Sequence, residues 1–331
     1  MKRRYARIVS TGVYVPPIVM TPEEFKEKTG IELDEAFIER TGIKVKRIAP
    51  EDETPSTMAA KACKQALDRA GLKISDIDLI ILGTDTPDFL TPPTSARLQE
   101  LLGGSEYEIP VFDVNASCAN GAYMLEIASS MIMSSEEYNN VLVVGTYCMN
   151  RFLRWKFPWE WMFSDGAGAV LLSVSEEPGY IAGKLRADGR YWDYWGIYFG
   201  AHKKVEEQLK NKEVVFLDLR KVYPPVNDEY WPKLVRCLME KGGFTGDDIT
   251  QIIFTQVRLR SILKVMDALG LPHSKTHWVM HKYGYTGSAC AYMALDDAWR
   301  EGKIEEGKIV IVVTSGVGYE QGAVAFRWVG K

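Results

Sequence analysis

The 331-residue sequence has little of what marks several large classes of protein. No apolar run approaches the roughly 18 residues that suggest a membrane span, the longest candidates being strand-sized pieces such as Val141-Leu-Val-Val144. No block of like charge stands out either. The 40 Lys and Arg against 44 Asp and Glu leave a net charge of -4 with both signs scattered, so nothing points to a nucleic acid as partner. The basic start Met1-Lys2-Arg3-Arg4 leads into a short alternating stretch, Tyr5 to Tyr14, without the apolar core or small-residue cleavage site of a signal peptide. A cytoplasmic location is expected. Cysteines are few, at 63, 118, 148, 237 and 290, with no CxxC pair and one left over in any disulfide count, which fits a reducing compartment. Histidines are fewer still. His273/His277 and His277/His281 have the i,i+4 spacing of helical metal ligands, but Pro272, Lys275 and the β-leaning Thr276-His277-Trp278-Val279-Met280 read as a turn entering a strand. No metal and no resident cofactor is expected.

What is present is enough apolar material, 46% of residues, for a large core, and an internal repeat. Ala66-Leu-Asp-Arg-Ala-Gly71 followed by Leu72 to Thr84 is a helix end, a glycine stop, a turn and a strand, and Leu238 to Gln256 repeats that layout. Gly71 matches Gly243, and Ile77 matches Ile249. Gly121-Ala-Tyr-Met124 is answered by Cys290-Ala-Tyr-Met293, Val141 to Thr146 by Ile309 to Thr314, and Gly166 to Leu172 by Gln321 to Phe326. Four matches in one order imply two similar α/β halves, 1–178 and 179–331, each with strands apolar on both faces. A polar, aromatic stretch from Arg186 to about Val222 has no counterpart in the first half and reads as an insertion over the surface or a pocket.

The chemistry centres on Cys118. Pro110 to Ala128 is a short apolar strand, a small-residue turn and an apolar helix, with Cys118 at the handover. There the free N–H groups and the positive end of the helix dipole favour a thiolate, the species that attacks thioesters. Small neighbours Ala116, Ser117, Ala119 and Gly121 let a carbonyl approach, and backbone N–H groups can hold an oxyanion. A free cysteine is also a common small core residue, and that is the reading for Cys63, Cys148, Cys237 and Cys290.

Asp113-Val-Asn-Ala-Ser-Cys118-Ala-Asn-Gly, Val143-Val-Gly-Thr and Phe163-Ser-Asp-Gly-Ala-Gly-Ala-Val170 resemble the β-ketoacyl-acyl-carrier-protein synthase III family of thiolase-fold condensing enzymes. So do Glu39-Arg-Thr-Gly-Ile43 with Arg47-Ile48, and Glu53-Thr-Pro-Ser-Thr-Met58. The resemblance runs over nearly the whole chain. It implies a duplicated five-layer αβαβα fold, a homodimer, and a Cys118 that accepts an acyl group from acyl-CoA or acyl carrier protein. It also exposes departures. Thr255 in Thr255-Gln-Val-Arg-Leu-Arg260 stands where the family has its histidine, and Tyr285 in Tyr283-Gly-Tyr-Thr286 where it has its asparagine. A Thr hydroxyl or a Tyr phenol can donate to an oxyanion, but neither matches imidazole as a base near neutral pH. Val317 stands where a glycine amide completes the oxyanion hole with the Cys118 amide. His281, four residues before Tyr285, is a candidate helper.

By the same resemblance Phe37 and Arg40 meet the adenine and phosphates of coenzyme A, and Arg260 keeps a basic position. Arg151 to Phe163 packs six aromatics and three cations into thirteen residues, suited either to an acyl pocket with Arg151, Arg154 and Lys156 on phosphates or acidic carrier residues, or to a dimer interface. Three functions follow as alternatives: condensation of the Cys118-bound acyl group with a second thioester, its transfer to an oxygen or nitrogen nucleophile, or a partner subunit of a heteromeric synthase.

Overall fold

The structure, a computed structural model, describes residues 3–329; Met1 and Lys2 of the basic start lie outside them. Its first sheet is built from β1 (Tyr5–Tyr14), β2 (Leu79–Gly83), β3 (Val111–Val114), β4 (Asn140–Tyr147) and β5 (Gly166–Ser175), in the order β1-β5-β4-β2-β3. The second holds β6 (Tyr180–Tyr191), β7 (Ile249–Phe254), β8 (Ile309–Ser315) and β9 (Gly318–Arg327), in the order β7-β8-β9-β6. In each, the strand before the last in the chain is parallel to its neighbour on one side, and the last runs antiparallel between it and the first. The two orders coincide except for the strand that would match β3. There the chain makes one parallel bridge, Thr276 to Ile252, and no more. The expected strand over Thr276 to Met280 is thus reduced to a single pairing, because a 3-10 turn at His273–Lys275 precedes it and a helical turn begins at Met280.

Helices complete the layers. α1 (Pro55–Ala70) starts with Thr54 capping the Thr57 N–H and Pro55 in the first turn, and stops at Gly71, φ 69°. α2 (Thr94–Leu101) lies beside it. In the second half α4 (Val226–Gly242) stops at Gly243, φ 64°, the position matched to Gly71, and packs with α5 (Leu259–Leu269). Between the sheets lie α3 (Asn120–Ser134) and α6 (Cys290–Arg300).

Strand alternation decides which face meets which layer. Val141 and Val143 of β4 and Val310 and Val312 of β8 face the middle layer, with Met124, Leu125, Tyr292 and Met293. Their neighbours Leu142 and Val144 face α1, and Ile309, Ile311 and Val313 face Trp231, Val235 and Leu238 of α4. Both faces of each inner strand are therefore apolar, which is why these strands read as unbroken apolar runs. The middle layer is close-fitting. A Cβ on Gly145 of β4 would come within 2.2 Å of the Ser288 carbonyl oxygen, and the Tyr292 hydroxyl donates to the Gly121 carbonyl at 2.8 Å.

The aromatic insertion begins at Trp192, not Arg186, because β6 continues to Tyr191 and Arg186 pairs with Gln321 of β9. It also has a topological counterpart. Between β1 and α1 the first half inserts a ribbon, Ile18–Met20 with Lys46–Ile48, and two helices; the second inserts the ribbon Trp195–Gly196 with Asp218–Leu219 and a short helix. Sequence similarity between the two insertions is absent, so only the backbone layout reveals the match. Among the described residues no helix is long and apolar enough to cross a membrane.

Gly145→Ala should lower stability by about 3 kcal/mol, the upper end for overpacking, because the obstacle is backbone rather than a movable side chain. Gly189→Ala, where a Cβ meets nothing, should stay within about 0.5 kcal/mol. Urea denaturation midpoints of the two variants provide the comparison.

Candidate active site

β3 ends at Val114, and a 3-10 turn, Ser117–Ala119, carries Cys118 to the first residue of α3. The turn is strained and tied on several sides. Ser117 has φ 49°, a left-handed conformation rare outside glycine, and its N–H donates to Asn115 Oδ1 at 3.0 Å. Asn120 accepts from the Ala116 N–H at 2.7 Å and donates to Ser288 Oγ at 3.2 Å. Thr314 of β8 donates to the Ala119 carbonyl at 2.8 Å. Gly316 lies flush on the turn, where a Cβ would stand 2.6 Å from the Ala116 carbonyl oxygen and 3.0 Å from the Cys118 nitrogen. Only glycine allows that approach.

Cys118 opens onto a cavity of about 450 Å³ whose wall includes Asp85, Tyr147, Thr255, Tyr285 and Val317. Trp192, Trp195, Tyr198 and Tyr223 of the second insertion close another side. The Cys118 thiol is pushed well above its ordinary pKa, first by burial and then by the Asp85 carboxylate. Hydrogen bonds to the sulfur from Tyr285 and Tyr147 pull the other way. The thiolate expected from the helix start is therefore outweighed: removing the sulfur from water costs the anion more than the helix end returns. The Tyr285 and Tyr147 phenols are themselves held far above the ordinary range by burial, so both are neutral donors. Tyr285 is placed by its backbone, which exchanges hydrogen bonds with Met162 and Ser164 of the first half at 3.0 and 2.8 Å. Thr255, just past β7, accepts the Ser315 N–H at 2.9 Å and keeps its own proton to donate.

Asp85 follows β2 at its carboxyl end. Burial raises its pKa to about 6, against a backbone hydrogen bond and the Ser288 hydroxyl at 3.4 Å. Ser288 also reaches the Ser117 carbonyl at 3.1 Å, so its single proton serves one acceptor at a time.

The structure thus gathers Cys118, Thr255, Tyr285 and Val317 around one cavity. It does not bring His281 there. That residue is exposed on the Met280–Tyr283 helical turn, where burial of its ring and the neighbouring Lys282 lower its pKa. Phe37 and Arg40 line a second cavity of about 310 Å³, which shares Trp195, Tyr223 and Arg258 with the first. Arg260, in the first turn of α5, lines neither, whereas Arg258, the extended residue just before that helix, lines both. Arg151 is also outside, its guanidinium spent on the carbonyls of Pro50, Glu51 and Glu53. Arg154 donates to the Leu217 carbonyl, and the Glu160 carboxylate accepts N–H groups from Arg154, Lys156 and Phe157, so most of the aromatic cluster is a packed scaffold. Cys290 is buried and accepts the Gln256 N–H at 3.4 Å, while Cys237 is only partly buried. His277, Asp297 and Glu301 lie close enough together for a metal, but Lys282 bonds both Asp297 oxygens and Lys303 bonds His277 and Glu301, which already balances their charge.

Three residues of the wall escaped the sequence: Tyr147, Asp85 and Arg258. The position of Asp85 carried a usable signal, since ligands of open α/β sheets gather beyond the carboxyl ends of parallel strands.

A doubled sheet fold with a buried cysteine at the start of a middle-layer helix defines a thiolase-type protein. Residues 112–189 match the family of 3-oxoacyl-(acyl-carrier-protein) synthase III, and residues 239–328 match its C-terminal part. A β-ketoacyl-(acyl-carrier-protein) synthase III of Xanthomonas oryzae is 34% identical over 335 residues, covering 99% of both chains. The crystal structure of 3-oxoacyl-(acyl-carrier-protein) synthase III from Aquifex aeolicus superposes with a TM-score of 0.85 at 31% identity, over 98% of this chain and all of that one. The priming β-ketosynthase of the R1128 polyketide pathway gives 0.87 at 27% identity, over 99% and 98% of the two chains. The chain belongs to the 3-oxoacyl-(acyl-carrier-protein) synthase III family.

Tyr285→Phe removes the stronger of the two donors to the Cys118 sulfur and should raise the thiol pKa further. Alkylation of Cys118 by iodoacetamide at pH 8, followed by peptide mass spectrometry, should slow, because less of the sulfur is thiolate.

Proposed function

We propose that the chain is an acyl-thioester condensing enzyme in which Cys118 takes an acyl group from acyl-CoA or acyl carrier protein and delivers it to the carbanion of a second thioester. The observation that carries this is the placement of Cys118: buried at a helix start, open to a cavity, with two phenol donors on its sulfur. The Cys118 and Val317 amides supply the oxyanion hole during acyl transfer. Once the sulfur is acylated it is a poorer acceptor, which frees the Tyr285 hydroxyl, together with that of Thr255, for the carbonyl oxygen of the second thioester. Loss of carbon dioxide from a malonyl extender then leaves an enolate held by these neutral donors, and decarboxylation itself asks for no base. Phe37, Arg40 and Arg258 receive the nucleotide end of the donor. A homodimer in the cytoplasm is part of the same proposal.

Thr255 and Tyr285, in place of histidine and asparagine, favour a second outcome: transfer of the acyl group to an oxygen or nitrogen nucleophile, with no decarboxylation.

Intact-protein mass spectrometry after exposure to a panel of acyl-CoAs should show a thioester-linked adduct in the wild type and none in Cys118→Ala. Addition of a malonyl-thioester should discharge it with release of carbon dioxide and a new carbon–carbon product. Absence of any adduct sinks both outcomes, while discharge only by alcohols or amines selects the transferase.

A further inference from the structure

No histidine lines the cavity among the described residues, yet the thiol that opens onto it is held protonated. A proton acceptor must therefore come from the wall. Cys118, Tyr147 and Tyr285 are neutral there, the Cys290 pKa is raised to about 12, and the Arg258 side chain offers donors but no acceptor. Two carboxylates remain. Asp228 is engaged by Lys264 at 3.3 Å. Asp85 has no cationic partner among the described residues and holds only a backbone N–H and the Ser288 hydroxyl.

An unpaired carboxylate in such a place is costly twice over. It forgoes water, and it raises the pKa of the cysteine on which the chemistry depends. Packing gives no return for either cost. A base lining the same cavity as the thiol does.

We propose that Asp85 is the acid–base residue of acyl transfer, accepting the Cys118 thiol proton, directly or through one water, as the sulfur attacks the donor thioester. The inference rests on Cys118 as acyl carrier. The new bond joins Cys118 Sγ to the acyl carbon, the bond from that carbon to the donor sulfur breaks, and the proton held by Asp85 passes to the departing thiolate. Nothing is oxidised or reduced. Ser288 is the positioning residue, because its hydroxyl chooses between Asp85 and the Ser117 carbonyl and so links the carboxylate to the turn that carries the sulfur. The Asp85 pKa of about 6 leaves the carboxylate ionised at neutral pH while keeping it a stronger base than an exposed aspartate.

Asp85→Asn separates this role from a merely electrostatic one, because the two move opposite ways. Acylation of Cys118 by acetyl-CoA should fall on the order of a hundredfold or more, and the wild-type rise in rate with pH through about 6 should vanish. Iodoacetamide alkylation of Cys118 at pH 8 should instead quicken, because the charge that raises the thiol pKa is gone. Because unfolding would also speed alkylation by undoing the burial of the sulfur, a cooperative thermal transition matching the wild type is the separate check that the variant is folded. Asp85→Glu should recover part of the acylation and restore the pH limb. Asp85→Asn acylating at the wild-type rate, or keeping the limb near pH 6, overturns the role of Asp85 and leaves Cys118 as acyl carrier standing. A wild type that takes no acyl group from any donor overturns both.

Discussion

The contact between the two middle-layer helices at their starting turns governs the site. α3 and α6 are the matched helices of the two halves, and their N-terminal turns meet between the sheets, where Gly145 admits the Ser288 backbone and Tyr292 donates to Gly121. That meeting leaves no freedom for the Ser117–Ala119 turn. It is held by Asn120 from within, by Ser288 and Thr314 from the second half, and by the close approach of Gly316. A strained φ at Ser117 survives because so many partners fix its surroundings. The sulfur is aimed by packing between halves rather than by any local feature of its own segment.

Electrostatics follow from the same burial. Deep placement removes the advantage that a helix start gives a thiolate, and burial displaces Cys118, Tyr147 and Tyr285 toward their neutral forms. Burial raises Asp85 only to about 6, so its carboxyl changes charge near neutrality. On the proposed reading the cavity divides hydrogen-bond donation and proton acceptance between separate groups. Neutral hydroxyls of Tyr285, Tyr147 and Thr255 donate hydrogen bonds, and a carboxylate takes the proton.

Much of the architecture was legible because it is written twice. Gly71 and Gly243 end matched helices in the same left-handed conformation, and the apolar alternation of β4 recurs in β8. The strand predicted at Thr276 to Met280 failed because apolar, β-branched residues there pack as irregular chain held by the Gln256 carboxamide, whose oxygen accepts the Val279 N–H at 2.8 Å. At the site, Cys118 was singled out by its place at a strand-to-helix handover, and Thr255, Tyr285 and Val317 through the resemblance of their local motifs to the family's. Tyr147, Asp85 and Arg258 were not, because each comes from a different strand end or loop and meets Cys118 only across the fold. His281 and Arg260 show the converse. Sequence proximity to a site residue said nothing about direction, and both side chains leave the cavity side of their helices.

The motif resemblance that sets Thr255 and Tyr285 against a histidine and an asparagine acquires a different meaning once Asp85 is included. An imidazole in the Thr255 position would serve as donor to the second substrate and as the nearest base. With threonine there, the base lies instead on the first half, beyond β2, on the side of the turn approached by Ser288. Donor and base then stand on walls contributed by different halves, and the acceptor substrate must fit between them. An enolate generated by decarboxylation uses only the donor wall, whereas an alcohol, an amine or an unactivated thioester with an acidic α-hydrogen needs the base as well. The geometry therefore links the choice of acceptor to the reach of Asp85: an acceptor that carries its own leaving carboxylate can ignore that side of the cavity, and any other must be bound against it.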